Sequence, residues 1–294
     1  MTLTIFTPTF NRLALLQKLY ESLRKQTDLN FEWLIYDDCS TDGTEAYIKS
    51  LQDSPFIIKY RKSTKNLGKH GVYNLALEEL DKDLFLCVDS DDVLSENAVK
   101  VIYETVKEAK SVSRCVGYIF PQLQNEIKNY SWKKIDGKLI DIIDMVNVYK
   151  IKETAIVFKS KYLKSCRFGT DTLSEKFCAE NVLYNQLVEK GKFYAKNKEF
   201  YCAEYQVDGL TKNIRSLWFN NPNNYIKGLE SDYYIYKKYC FFRRIRLRFE
   251  NIVRYNAFCI RCRLGLFYHN YAMFPSIILL LPGWLFSLTR YWRI

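Results

Sequence analysis

Asp89-Ser90-Asp91-Asp92 closes an apolar run from Leu84 to Val88. Alternate residues of an extended segment point to the same side, which lets Asp89 and Asp91 converge. Neighbouring carboxylates repel, and a divalent cation that takes hard oxygen ligands relieves the repulsion. Magnesium and manganese bind through one or two carboxylates together with phosphate oxygens, so the pattern suits Mn2+ or Mg2+ shared with a diphosphate-bearing substrate. The same residues also suit a solvated turn, or the N-cap of a helix starting near Glu96.

Asp37-Asp38 ends another strand-like run, Phe31 to Tyr36, and leads into Cys39-Ser40-Thr41-Asp42-Gly43-Thr44. Carboxylates there can accept hydrogen bonds from a base N–H or from ribose hydroxyls. Helix capping by Ser40 or Thr41 is the plainer reading of the same segment. Lys65-Asn66-Leu67-Gly68-Lys69-His70-Gly71 offers positive charge to a pyrophosphate, with glycines that allow close backbone approach. His70 is one of only two histidines, and a single histidine is no reason to infer a general base. Glu180 opens a helix expected over about 179–190, where an acid either favours the helix dipole or serves as a base.

The elements that must hold these residues alternate between strand and helix over the first 120 positions. Strand patterns cover Thr2 to Thr7, Phe31 to Tyr36, Phe56 to Tyr60, Leu84 to Val88 and Val116 to Phe120. Helical spacing fills the intervals at 12–25, 41–51, 71–80 and 96–109. Repeated βα units predict an α/β fold with a mainly parallel sheet flanked by helices. In such sheets ligands bind at the carboxyl ends of the strands, where Thr7-Pro8, Asp37-Asp38 and Asp89 to Asp92 all fall. Residues 121–150 read as an insertion or lid, and 153–206 as strand, helix and strand closing the same domain. A boundary is expected near 220, with a nucleotide-binding half over about 1–120, an acceptor-binding half over about 121–220, and a helical region at 221–294.

Taken in order, Thr7-Pro8-Thr9-Phe10-Asn11-Arg12, Asp37 to Thr44, Asn66 to Asn74 and Asp89 to Asp92 resemble the family 2 glycosyltransferases of the GT-A fold over roughly residues 1–210. Asp208-Gly209-Leu210-Thr211 and Asn221-Pro222 further resemble a bacterial polysaccharide-assembly branch. The resemblance implies that Pro8, Phe10 and Arg12 line a nucleotide pocket, that Asp38 meets uracil with Asp37 nearby, and that Lys69 lies near the donor. Thr7, Asn66, Asn74 and Ser90 join that nucleotide-sugar set. Asp89 would contact ribose or the metal, Asp91 would be the direct metal ligand, and Glu180 matches the family's catalytic base. The implied reaction is an inverting transfer from a nucleotide-sugar, of the UDP type, to a hydroxyl of a lipid-linked saccharide acceptor. The sequence departs from the family at Cys39, where glycine is usual, at Asn181, where an acid often follows the base, and at Ala76, where many members have glycine. A sugar nucleotidyltransferase shares the sheet type but wants a Gly-rich, Arg-containing loop where Pro8-Thr9-Phe10-Asn11 stands. A membrane-associated nucleotide-sugar-binding scaffold with a degenerate site is the non-enzymatic alternative.

Charge is concentrated at one end. The formal charge is +11, and residues 237–294 carry eleven Lys or Arg against the single acid Glu250, leaving about +1 for the rest. Phe242, Ile245, Phe249, Ile252, Val253 and Ile260 fall on one helical arc among those arginines, a basic amphipathic helix suited to a membrane surface. Leu264 to Thr289 has no formal charge, but its densest part, 274–288, is roughly 22 Å as helix and is interrupted by Pro275, Pro282 and Gly283. The expected partner is therefore an anionic membrane surface met by an interfacial segment, with Trp284, Tyr291 and Trp292 at the headgroups and Arg290 and Arg293 on anionic lipid. A helical hairpin packed on the catalytic domain is the alternative. Nothing resembles a nucleic-acid-binding module. An odd count of nine cysteines and an N-terminus that opens into a strand point to free thiols and to a cytoplasmic protein, peripheral on the inner face of the membrane. Cys259 and Cys262 form a lone C-x-x-C, too little for a zinc or redox site.

Overall fold

A computed structural model describes residues 1–123, 129–151, 153–169, 174–203, 214–265 and 268–290. The Asp208 to Thr211 motif and residues 291–294 lie outside the described residues. The chain divides into two compact units, Met1–Arg167 with Gln186–Val207, and Phe168–Asn185 with Asp208–Ile294.

The first unit begins with the expected alternation: β1 (Leu3–Thr9), α1 (Leu13–Arg24), β2 (Phe31–Asp37), α2 (Thr44–Ser50), β3 (Ile57–Lys62), α3 (Lys69–Glu78), β4 (Leu84–Cys87), β5 (Val93–Leu94), α4 (Ala98–Glu108) and β6 (Cys115–Leu123). Shorter pieces follow: α5 (Asn129–Ile135), β7 (Leu139–Ile140), α6 (Ile142–Asn147), β8 (Thr154–Lys159) and α7 (Ser160–Leu163). The helix α8 (Asn181–Val188) straddles the boundary between the units, and β9 (Lys192–Ala195) and β10 (Tyr201–Cys202) complete the sheet.

Among the described residues ten strands form one sheet in the order β3-β2-β1-β4-β8-β6-β10-β5, with β9 on β6 and β7 on β9. The half from β3 to β4 is wholly parallel, and β8 runs antiparallel between β4 and β6. The repeat of βα units predicts the parallel half. Nothing in its local pattern announces that β8 inserts beside β4. Every residue of β2 is buried, as a strand covered on both faces requires. Of its two buried acids, Glu32 is held by Lys59 at 3.0 Å and by the Thr4 hydroxyl at 3.0 Å, and Asp37 ends the strand at the site. On α1, Leu16, Leu19, Tyr20 and Leu23 recur at helical spacing and are buried, and Tyr20 stacks on Trp33 at 5.9 Å. The Trp33 indole N–H donates to the Thr7 hydroxyl at 3.0 Å, so the core reaches the strand end that carries the site.

The expected caps of α2 are misplaced. Asp42, one residue before the N-cap, accepts from the Thr44 hydroxyl at 2.7 Å and the Thr44 N–H at 3.2 Å. Ser40 and Thr41 are engaged instead with Asn11. Likewise α4 starts at Ala98 with Asn97 before it, so the acidic cluster does not cap it.

The second unit contains α9 (Ile214–Asn220), α10 (Pro222–Ile235), a 3-10 turn (Tyr236–Lys238), α11 (Phe241–Arg261), α12 (Met273–Ile278) and α13 (Leu280–Arg290). Its core joins Ile226 and Leu229 of α10 to Tyr255, Phe258 and Cys259 of α11. Burial pushes the thiols of Cys259 and Cys262 up to about 11 and about 12, which keeps both protonated. No helix among the described residues is long and apolar enough to cross a membrane.

Asp232 on α10 is half-buried, and desolvation of its carboxyl raises it above the ordinary value although hydrogen bonds from Asn181 and Asn185 and the charge of Arg254 pull it down. Its ionisation therefore opposes folding. The contribution is best below the unfolded value of about 3.9 and is lost as pH rises through the higher folded value. Asp232→Asn is expected to gain thermal stability relative to the natural chain as pH is raised from acid to neutral. A gap that stays constant across that range in thermal-shift measurements contradicts this.

Candidate active site

Strand register gathers the loops. In the parallel pair β1–β2, Thr9 lies opposite Asp37, and in β1–β4, Phe6 lies opposite Cys87, so the segments after β1, β2 and β4 leave the sheet along one edge. Strand order reverses between β1 and β4, where a crevice opens in folds of this kind. Side chains then lock the loops together. Asn11 donates its N–H to Ser40 Oγ at 2.9 Å and accepts from the Thr41 N–H at 2.8 Å, and Asp42 accepts from the Leu13 N–H at 2.9 Å. Cys39, standing where the family usually carries glycine, has φ of +73°. That is the left-handed region, which costs a side-chain-bearing residue roughly 1–2 kcal/mol and glycine nothing. The departure is thus tolerated without a different turn.

The acidic residues after β4 do converge, by a different route from the one expected. The segment is a turn rather than an extended strand end, closed by the Asp92 N–H donating to the Asp89 carbonyl at 3.0 Å. Asp89, Asp91 and Asp92 each place a carboxylate oxygen within 4.8 Å of the others. All three donors are hard oxygens, the set that suits Mg2+ or Mn2+ rather than zinc or copper. Among the described residues, Arg12 and Lys69 bring positive charge to them. Arg12 Nη1 lies 2.5 Å from Asp91 Oδ2, and Lys69 Nζ lies 2.8 Å from Asp89 Oδ1. Carboxylates this close repel one another, and a divalent cation taking hard oxygen ligands would relieve that repulsion.

Tyr201, missed in the sequence, completes the arrangement. Its hydroxyl donates to Asp92 Oδ2 at 2.5 Å and accepts from the Asp89 N–H at 3.3 Å. Burial, then the charges of Asp89 and Asp92, raise its pKa well above the ordinary tyrosine value and keep it a donor. It comes from β10, which pairs with β5 just beyond the turn, with Tyr201 opposite Leu94. A two-residue strand more than a hundred positions away gives no local signal of that role.

The other expected site residues divide into two groups. Arg12, Lys69, Asp89 and Asp91 are brought together, with Ser90 buried in the same turn. Phe10 is exposed at the edge, and Pro8 and Asn66 are half-buried. Asp38 is buried and bonded to the loop at 63–68, accepting at 2.7 Å from the N–H groups of Leu67 and Gly68. Asp37 is fully buried and accepts from the Ser40 N–H at 2.7 Å and the Tyr60 hydroxyl at 2.6 Å, so it holds the loop from within. Thr7 is buried against Trp33, and Asn74 is buried in α3.

Glu180 belongs to the second unit. It is exposed immediately before α8 and accepts from the Tyr184 hydroxyl at 2.8 Å. The segment leading to it is pinned to the start of α10. Asn221 Oδ1 accepts from the N–H groups of Lys176 and Phe177 at 2.7 and 3.0 Å, and Glu175 accepts from those of Asn223 and Asn224 at 2.9 and 2.7 Å. Asn221-Pro222 thus has a visible local job, with Pro222 opening α10.

Residues 4–167, more than half the chain, match the family model of glycosyl transferase family 2. The chain belongs to that family. Among family relatives it is 26% identical over 247 residues to the GalNAc(5)-diNAcBac-PP-undecaprenol beta-1,3-glucosyltransferase of Campylobacter jejuni, covering 83% of this chain and 65% of that one. It is 24% identical over 210 residues to the poly(ribitol-phosphate) beta-N-acetylglucosaminyltransferase TarS of Staphylococcus aureus, covering 68% and 36%. The crystal structure of TarS residues 1–349 in complex with UDP superposes with a TM-score of 0.63 at 16% identity, over 98% of this chain and 81% of that one. A mannosyltransferase from Pyrobaculum calidifontis, solved with GDP-Man and Mn2+, gives a TM-score of 0.56 at 14% identity over 99% and 81%. These neighbours establish the GT-A fold. The chain spans about a third to two thirds of the length of the first curated relatives it matches.

Tyr201→Phe removes one buried hydroxyl and leaves the ring in place. The expected loss is roughly 1–3 kcal/mol of stability in chemical denaturation, because Asp92 and the Asp89 N–H lose a buried partner. Unchanged stability would mean that Tyr201 serves only through its ring.

Proposed function

We propose that this chain is an inverting, metal-dependent glycosyltransferase that moves a sugar from a UDP-sugar to a hydroxyl of a lipid-linked saccharide acceptor, at the anionic cytoplasmic face of a bacterial membrane, in cell-surface polysaccharide synthesis. The observation that carries the reading is the convergence of Asp89, Asp91 and Asp92 at the carboxyl end of β4 within a family 2 domain. Relatives named for lipid-linked and polymer acceptors, and neighbours solved with UDP or with GDP-Man and Mn2+, support it.

The roles follow from the chemistry each residue offers. Asp91 and Asp89 would hold Mn2+ or Mg2+, with Asp92 kept in place by Tyr201. A divalent ion bound there supplies positive charge against the diphosphate as it departs. Arg12 and Lys69 exchange their carboxylate partners for diphosphate oxygens when the donor enters, since both are charge-assisted donors. Pro8, Phe10 and the Asp38 loop, with Asn66, line the nucleotide, and the interlocked loops keep that wall in one conformation before substrate arrives. Glu180 takes the proton of the acceptor hydroxyl as its oxygen attacks the anomeric carbon and the bond to the diphosphate breaks on the opposite face. One displacement gives inversion.

Asp91→Asn keeps the shape of the side chain and removes its charge. Transfer from UDP-sugars to lipid-linked acceptors is expected to fall on the order of a hundredfold or more, with manganese-dependent UDP binding lost in calorimetry and the fold retained. Full transfer by the variant refutes the metal assignment, and absence of manganese-dependent UDP binding in the natural chain favours a non-catalytic scaffold.

A further inference from the structure

The last two helices are built inside out for water. Along α12 and α13 the buried positions are small: Ser276 and Ser287 are 2% and 6% exposed, and Gly283 lies so close to α11 that an added Cβ would meet the Asn256 side chain at 2.5 Å. The Asn256 amide donates to the Ser276 carbonyl at 2.8 Å, fastening α12 to the same stretch. The large apolar residues turn away. Phe274 is 79% exposed and Ile278 77%, and Ile277, Leu281, Trp284 and Leu285 are each about half exposed. A surface helix in water shows the reverse, with its apolar stripe inward. Small residues at the helix contact and large apolar ones outside is the arrangement of helices packed in lipid.

The expected apolar arc of α11 divides accordingly. Ile252 and Val253 are buried within the unit, whereas Phe242, Ile245 and Phe249, on the N-terminal half, remain exposed, Phe242 at 83%. That half carries Arg243, Arg244, Arg246 and Arg248, with Glu250 as its only acid. Arg246 pairs with Glu250 and Arg248 lies over the Tyr233 ring at 4.5 Å, while Arg243 and Arg244 stack on Tyr239 and Phe241. An exposed apolar surface bordered by arginines matches an anionic lipid surface in both respects. An acidic protein partner would match the charge, but it gives no reason for the inverted order along α12 and α13. No described helix is long and apolar enough to span.

We infer that α12, α13 and the N-terminal half of α11 form a monotopic membrane-docking face, in which Phe274, Ile278, Leu281 and Trp284 enter the acyl boundary and the α11 arginines bind anionic headgroups. This deepens the proposed function and rests on it for the lipid surface being the one that holds the acceptor. The face places the second unit, which carries Glu180, directly on the bilayer where a lipid-linked hydroxyl must be met.

Flotation of the full chain tests it, using vesicles of phosphatidylethanolamine with phosphatidylglycerol and, in parallel, of phosphatidylcholine. The natural chain is expected to float with the anionic vesicles. The triple variant Phe274→Ser, Leu281→Ser, Trp284→Ser replaces exposed side chains only, and its partition is expected to drop roughly a hundredfold. Arg243→Gln with Arg244→Gln is expected to lose about tenfold on anionic vesicles alone. Equal flotation of the triple variant, or no flotation of the natural chain, overturns the inference. So does sedimentation showing that this face joins two copies of the chain with no vesicle binding. UDP titration of the same preparations reads the nucleotide site separately, so failure of the docking face and failure of the glycosyltransferase reading are distinguishable.

Discussion

Three carboxylate oxygens within 4.8 Å of one another at the end of a buried strand repel, and much of the surrounding architecture answers that repulsion. The turn after β4 is closed by its own backbone, Tyr201 donates from a distant strand, and Arg12 and Lys69 reach in from two other loops. Each of those residues is held by something else. Arg12 immediately precedes α1, beyond the Asn11 contacts to Ser40 and Thr41. Lys69 begins α3, just after the loop that Asp38 holds. An arrangement in which cations already face the acids is suited to exchanging partners with a metal–diphosphate unit, because charge is conserved across the exchange.

The parallel half of the sheet and the position of the acidic cluster were legible because both are local. A wholly apolar strand followed at once by acids needs no tertiary knowledge to read, and neither does the βα repeat. What escaped the sequence depends on contacts between distant residues. β8 inserts antiparallel beside β4, and Tyr201 reaches the cluster from a two-residue strand. The cap of α2 depends on such a contact, because Ser40 and Thr41 are drawn to Asn11 across thirty positions, leaving Asp42 to serve the helix. Asp37 and Asp38 look equivalent in the sequence, yet one is sealed beneath the loop by Tyr60 and Ser40 while the other binds the backbone of the loop at 63–68.

The basic C-terminal region shows the same limit from the other side. Periodicity identified an apolar arc on α11, but only packing shows that the arc is half core and half surface. The segment without charge reads in sequence as a span that is too short. In the fold its small residues face α11 and its large ones face out, an order that hydropathy averaged over a window cannot express. Two units thus carry two kinds of chemistry, hard-oxygen and charge-assisted in the first, apolar and cationic in the second.

The central claim is that one divalent ion is held by the acids after β4. Anomalous diffraction from crystals grown with manganese and UDP measures it most directly. The account predicts a manganese peak roughly 2 Å from a carboxylate oxygen of Asp91, shared with diphosphate oxygens. UDP bound with manganese elsewhere, or with no manganese at Asp89 and Asp91, contradicts it.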